Sequence, residues 1–136
     1  MKFITRDTDY AVRALCCIAQ EPLLVCANKM VSFLKMPKPF LRKILQILNK
    51  KKLLISTKGK GGGFVLARSP DKITLIDVMR AFQGPVLLNE CMFKKKVCPS
   101  ISTCDLRKKL CEIQKIMIKQ LESITIASLI SKERKK

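Results

Sequence analysis

Residues 39 to 68 constrain the fold more than any other stretch. Phe40, Leu41, Ile44, Leu45 and Leu48 recur at helical spacing, while Arg42, Lys43, Gln46, Asn49 and Lys50 take the opposite side. The pattern predicts a strongly amphipathic helix from about Pro39 to Lys51. It is entered through Met36-Pro37-Lys38-Pro39, where prolines suit the first turn. The period then changes at once. "LLISTKGKGGGFVLAR" holds two short β-prone runs around a turn of Lys and Gly, the pattern of a β-hairpin. A helix and a hairpin so close together need other elements to cover their apolar sides.

The flanking sequence supplies them. "TDYAVRALCCIAQ", residues 8 to 20, predicts a first helix with Tyr10, Leu15, Cys16 and Ala19 near helical spacing and Thr8 or Asp9 as its cap. Glu21-Pro22 ends it. "CANKMVSFLK" predicts a second, with Ala27, Met30, Val31 and Leu34 inward, and "TLIDVMRAFQ", residues 74 to 83, a later one capped by Thr74 and stopped by Gly84-Pro85. Three helices followed by a hairpin is the order of a winged helix-turn-helix. In the last element, from about Thr103 to Glu122, Leu106, Leu110, Ile113, Met117 and Leu121 form a near-heptad seam. A seam that long at the end of a small domain most simply packs against its own copy, which predicts a homodimer.

The expected fold class is therefore mainly α with a small β-hairpin wing: a winged helix-turn-helix plus a long C-terminal dimerisation helix. Its divisions are a DNA-binding domain at 1–84, a cysteine loop at 85–104, a dimerisation helix and C-terminal segment at 105–130, and a disordered basic tail at 131–136.

Charge points to the partner. Lys and Arg number 28 against 10 Asp and Glu, a formal +18. Such a chain repels itself unless a polyanion neutralises it. Nucleic acid leads, because each phosphate neutralised releases condensed counterions; an anionic membrane surface is second. The basic face belongs to a helix-turn-helix, however, rather than to one long amphipathic segment. No apolar run approaches the ~20 residues that span a bilayer, and "MKFITRDTDYAVR" is not a signal peptide. The expectation is a cytoplasmic protein with reduced thiols and no membrane partner.

Lys43, Gln46 and Lys50, at i, i+3 and i+7, can reach one major groove together, and Lys and Gln suit guanine and adenine edges respectively. The plainer reading of the same residues is the solvated side of a core helix. In the hairpin, "KGKGGGF" matches neither phosphate-loop pattern. Its glycines, Gly61 and Gly62 among them, suit a tight turn and close approach to a DNA strand, with Lys58 or Lys60 entering the minor groove. With no histidine, phosphate loop or paired acidic motif, no catalytic constellation can be assembled.

"TDYAVRAL", "STKGKGGGFVLAR", "ITLIDVMRAFQGP" and "SITIASLI" resemble the Rrf-two family of bacterial regulators, of the IscR and NsrR types, to about Ile130. The resemblance implies a dimeric winged-helix transcription regulator, often a repressor, on near-palindromic operators. Lys38, Arg42 and Lys43 match its recognition-helix surface, and Lys58 matches a basic wing position.

"CMFKKKVCPSISTC", residues 91 to 104, carries three of the seven cysteines. An odd count in a reducing compartment argues against a disulfide framework and for metal or redox use of some thiols. Structural zinc usually takes a close C-x2-4-C pair, which this loop lacks, whereas wider spacings suit an iron–sulfur cluster. Zinc, thiol-only sensing and no ligand at all stay open on the residues alone. Lys94, Lys95 and Lys96 would offset the charge of a thiolate-bound cluster, or simply face solvent.

The family resemblance implies that Cys91, Cys98 and Cys104 ligate an iron–sulfur cluster, [2Fe-2S] or [4Fe-4S]. IscR-type members add a histidine three residues after the third cysteine; here that residue is Arg107, which excludes such a site. NsrR-type members can recruit an N-terminal aspartate of the other subunit, and Asp9 matches it. Cys111, Asp7, Glu90, an external thiol and an open position are the rivals. A weakly held iron would leave the cluster reactive to nitric oxide, oxygen or iron scarcity. Cys16, Cys17 and Cys26 read as small core residues. The alternative function is a cofactor-free winged-helix regulator controlled by a small molecule, thiol oxidation or zinc.

Overall fold

The computed structural model describes residues 3–21, 24–59, 61–87 and 104–134. Helix α1 (Arg6–Ala19) is the element on which the others gather: α2 (Ala27–Leu34), α3 (Lys38–Lys50), α4 (Leu75–Gln83) and α6 (Ile126–Arg134) all pack on it. Its fully buried Ala11 and Ala14 let neighbouring backbones come close. The cap of α1 is Thr5, whose hydroxyl accepts the Thr8 backbone N–H at 3.3 Å, rather than Thr8 or Asp9. Thr8 is instead fully buried and donates its hydroxyl to Gln83 Oε1 at 2.8 Å. A buried hydroxyl must find an acceptor, and α4 offers the nearest one.

The stripe of α3 lies as its spacing predicts, with Leu41, Ile44, Leu45 and Leu48 in the core. The helix closes on Lys52 in the left-handed region (φ 63°). Lys52 N–H bonds the Asn49 carbonyl at 3.0 Å and Leu53 N–H the Leu48 carbonyl at 2.9 Å. Strand β1 (Leu54–Thr57) then pairs antiparallel with β2 (Gly63–Leu66), in a register that sets Thr57 opposite Gly63. Val25 exchanges two backbone hydrogen bonds with Phe64, at 2.9 and 3.1 Å, which ties the entrance of α2 to the wing. A short 3-10 turn over Pro70–Lys72 leads to α4, whose start carries the expected cap: Thr74 and Asp77 bond each other's backbone N–H.

Helix α5 (Asp105–Ser123) touches α4 near its end, where Leu121 joins Ile76 and Met79. The chain turns back at Ile124-Thr125, held by Leu75 N–H on the Ile124 carbonyl (2.8 Å) and Ile126 N–H on the Ile73 carbonyl (3.0 Å). Ile126 and Ile130 of α6 thereby enter the main core beside α1. The last helix packs into the core of the amino-terminal unit. Its backbone stays helical through Arg134, where the sequence reading expects a disordered tail from 131. No helix among the described residues is long and apolar enough to cross a membrane. The fold is a winged helix-turn-helix with a long C-terminal helix, as expected.

Candidate nucleic-acid interface

Burial of its apolar stripe fixes the rotation of α3 and leaves Lys38, Arg42, Lys43, Gln46, Asn49 and Lys50 exposed. Lys38, Pro39, Arg42, Lys43 and Gln46 line a shallow recess of about 390 Å³. No acidic residue interrupts this helix, so its outward face carries undiluted positive charge.

A second recess, of about 410 Å³, joins that face to the wing. Gln46 and Asn49 line it from α3, and Lys58 and Gly62 from the hairpin. The turn of the wing needs glycine for two reasons. Gly59 (φ 99°) and Gly61 (φ 76°) adopt left-handed backbone. A Cβ on Gly62 would run into the Thr57 carbonyl oxygen, and one on Gly63 would sit 2.7 Å from the Val25 carbonyl oxygen. Lys60, expected beside Lys58, lies outside the described residues. Gln46 thus lies at both recesses, the first holding Lys38, Arg42 and Lys43 and the second Lys58 and Gly62, while Lys50 is exposed near the end of the same helix.

Several lining residues stand outside the sequence-predicted set, Asn49 and Cys26 among them. Asn49, three positions beyond Gln46, is placed on the polar face by the sequence but not among the expected DNA contacts, although it shares the face of Gln46. Cys26 is exposed at the N-cap of α2 and opens into the recess, whereas the sequence reading places it in the core. Its neighbour Val25 takes the buried place through the bridge to Phe64, a tertiary pairing that no local pattern announces. Of the other two thiols assigned to the core, Cys17 is buried and Cys16 half-buried. Burial pushes the Cys17 thiol up from its ordinary pKa, and the Glu21 carboxylate adds to this while Lys29 opposes it.

Cys91 and Cys98 lie outside the described residues. Cys104 is half-buried at the N-cap of α5, where the positive end of the helix dipole complements an anionic ligand. Because α5 starts at the next residue, Cys111 stands two turns along it, an axial rise of ~10 Å. That distance disfavours it as a second ligand beside Cys104. Asp9 is exposed on the first turn of α1 and pairs with Arg13 at 3.2 Å. Among the described residues no three metal-ligating side chains come together.

One observation tests whether a cluster would suit this end of α5. Arg107 Nε is buried with no hydrogen-bond partner among the described residues, three residues beyond Cys104. A buried guanidinium N–H calls for an acceptor. A thiolate-ligated cluster is anionic and offers sulfur acceptors, so Cys104 and Arg107, the described residues at this end of α5, fit the group.

Comparison with known proteins adds a separate line. The family model Rrf2, described as an iron-dependent transcriptional regulator, matches residues 4–132. A candidate HTH-type transcriptional regulator of Aquifex aeolicus is 32% identical over 93% of this chain and 90% of its own. The HTH-type transcriptional regulator NsrR of Shouchella clausii is 27% identical over 96% and 89%. Among solved structures, CymR of B. subtilis, a global cysteine regulator, superposes with TM-score 0.74 at 20% identity, covering 96% of this chain and 98% of that one. IscR of T. potens does so with TM-score 0.72 at 24% identity, covering 98% and 88%.

Proposed function

Because this chain belongs to the Rrf2 family of transcriptional regulators, we propose that it is an iron–sulfur-responsive regulator, in most settings a repressor. It reads DNA as a homodimer on near-palindromic operators. The protein is a transcriptional regulator and not an enzyme. The observation that carries the DNA-reading geometry is the acid-free, exposed face of α3, joined by one groove to Lys58 of the wing. Lys38, Arg42, Lys43 and Lys50 position the helix on phosphates and base edges. Gln46 reads within the major groove, and Lys58 with the wing glycines follows the minor groove. The exposed apolar residues of α5 supply the contact with the second copy.

For sensing, Cys91, Cys98 and Cys104 would hold the cluster, with Asp9 of the second copy as the fourth ligand. Arg107, three residues beyond Cys104, would supply a hydrogen-bond donor to the cluster. When bound, such a group supplies an oxidant- and nitric-oxide-reactive centre. Cys104 is the N-cap of α5, and the far end of α5 packs on α4. A change in ligation at Cys104 therefore acts on the helix that spaces the two reading heads.

The test compares operator affinity of anaerobically prepared protein with and without its cluster, in wild type and in Cys98→Ala. The wild type is expected to change affinity by about tenfold, within the usual span of allosteric couplings, and the variant to stay at the cluster-free value. A Cys98→Ala protein that keeps both its iron and its response would overturn the sensor.

A second reading, a regulator without a cluster, is favoured by a cavity of about 600 Å³ between α1, α2 and α6, lined by Arg13, Cys16, Cys17, Phe33, Lys35 and Leu129 among others. It has room and charge for a small anionic effector. Under this reading the response follows added metabolite, thiol oxidation or zinc, and is indifferent to iron and sulfide.

A further inference from the structure

Arg6, the first residue of α1, lies outside the groove between α3 and the wing. Its side chain is exposed, and its guanidinium carbon lies 5.4 Å from the centre of the Tyr10 ring and 5.8 Å from that of Phe40. The two rings meet edge to face, with centroids 5.4 Å apart and planes at 82°. They form a corner that holds a guanidinium by cation–π attraction. Among the described residues no carboxylate pairs with Arg6; Asp9, one turn on, is taken by Arg13. The result is an exposed cation whose charge is not neutralised and whose freedom the rings already restrict.

Its place in the fold gives that cation a task. Phe40 belongs to α3, three residues before Lys43, so ring and lysine are neighbours along one edge of the helix. Gln46 and Asn49 face the wing groove. The outward face of α3 is therefore bracketed by Lys58 on the wing and by Arg6 beside Phe40. A helix lying in a major groove has a sugar-phosphate wall on each side of it. A planar fork of donors matches a phosphate better than a single ammonium does.

We propose that Arg6, braced by Tyr10 and Phe40, is a further DNA-contacting residue that takes a backbone phosphate on the edge of α3 remote from the wing. The proposal rests on the DNA-reading interface above, not on the cluster. It assigns Arg6 a share of affinity and of register on the duplex, without a share in sequence choice.

Because a phosphate contact is blind to sequence, the probe is a random-sequence duplex of about three helical turns, titrated at several salt concentrations. Arg6→Gln should bind about tenfold more weakly at low salt, and its slope of log affinity against log salt should be shallower by about 1.8, about 0.9 for each of the two phosphates a homodimer engages. Over a fourfold rise in salt the variant then loses roughly 12-fold less affinity than the wild type. Lys119→Gln, an exposed charge on α5, serves as the control and should leave the slope in place. Arg6→Lys keeps the charge but not the fork. It should retain the wild-type slope with intermediate affinity, and it stands in should the glutamine variant fold poorly.

An Arg6→Gln protein with wild-type slope and affinity within twofold overturns the assignment. So does a loss confined to a chosen operator with the slope unchanged, which would make Arg6 a base reader. Loss of slope in Arg6→Lys likewise contradicts a charge contact. A wild type that fails to bind the duplex at any salt overturns the interface itself, a result distinct from equal binding by wild type and variant.

Discussion

The helices α3 and α5 are both amphipathic, and they differ in what covers their apolar side. In α3, Leu41, Leu45 and Leu48 are fully buried and Ile44 is 1% exposed, so only the half-buried Phe40 and Ile47 at the edges of the stripe are left partly open. In α5, Leu106 and Ile116 are 64% exposed and Ile113 54%, and Leu121, near its end, is the one buried residue of the helix. The first helix has used its apolar surface within its own subunit and turns four cations outward, which suits a polyanion. The second keeps an apolar ridge in solvent, which suits another apolar ridge. One pattern of alternation thus serves two kinds of partner, and burial decides which.

The largest effect expected from this contrast is at the core side of α3. Leu45→Ala should cost about 2–5 kcal/mol of unfolding free energy, measured by urea titration at a protein concentration low enough to keep the protein monomeric. A cost near zero would mean that α3 is not seated as described.

At α5 the same kind of experiment should move assembly instead. Ile113→Glu is expected to leave the monomer's urea midpoint close to that of the wild type and to convert dimer into monomer at micromolar concentration in sedimentation. Specific DNA affinity should fall with it, because two half-sites are then bound independently. An unchanged sedimentation coefficient would remove α5 from the dimer contact.

The same two helices show which features are legible in a sequence and which are not. The stripe of α3, the hairpin and the Thr74 cap all follow from contacts within a few residues, and period and cap chemistry report those directly. The Thr5–Thr8–Gln83 cluster joins residues about 75 apart in sequence, and α6 is held by bonds from Leu75 and Ile126 across the fold. Neither leaves a local signature, so the cap of α1 and the role of the last helix are not legible. Lys38, Arg42, Lys43, Gln46, Lys50 and Lys58 can be named because each lies on a predictable face or turn. Arg6 cannot, since its worth depends on two rings from different helices.

The smallest effect concerns thiols, where the same distinction between covered and uncovered surface holds. Cys26 should react with iodoacetamide in the folded protein, whereas Cys17 should react only on unfolding. Because folding raises the Cys17 pKa, the fold favours the neutral thiol. That contribution to stability is complete below the ordinary thiol range and is lost as pH rises through the raised value. Cys17→Ala should therefore flatten the alkaline fall in the urea midpoint. An equal fall in wild type and variant would contradict the assignment.

A DNA-reading head governed by a cluster at the start of α5 is the central claim. The most direct measurement is an iron and sulfide count per chain, with a visible absorption spectrum, on protein purified without oxygen. A brown protein with thiolate-to-iron bands and matched iron and sulfide, about two or four of each, is the result predicted here. A colourless chain that binds DNA yet stays metal-free after reconstitution with iron and sulfide would contradict it.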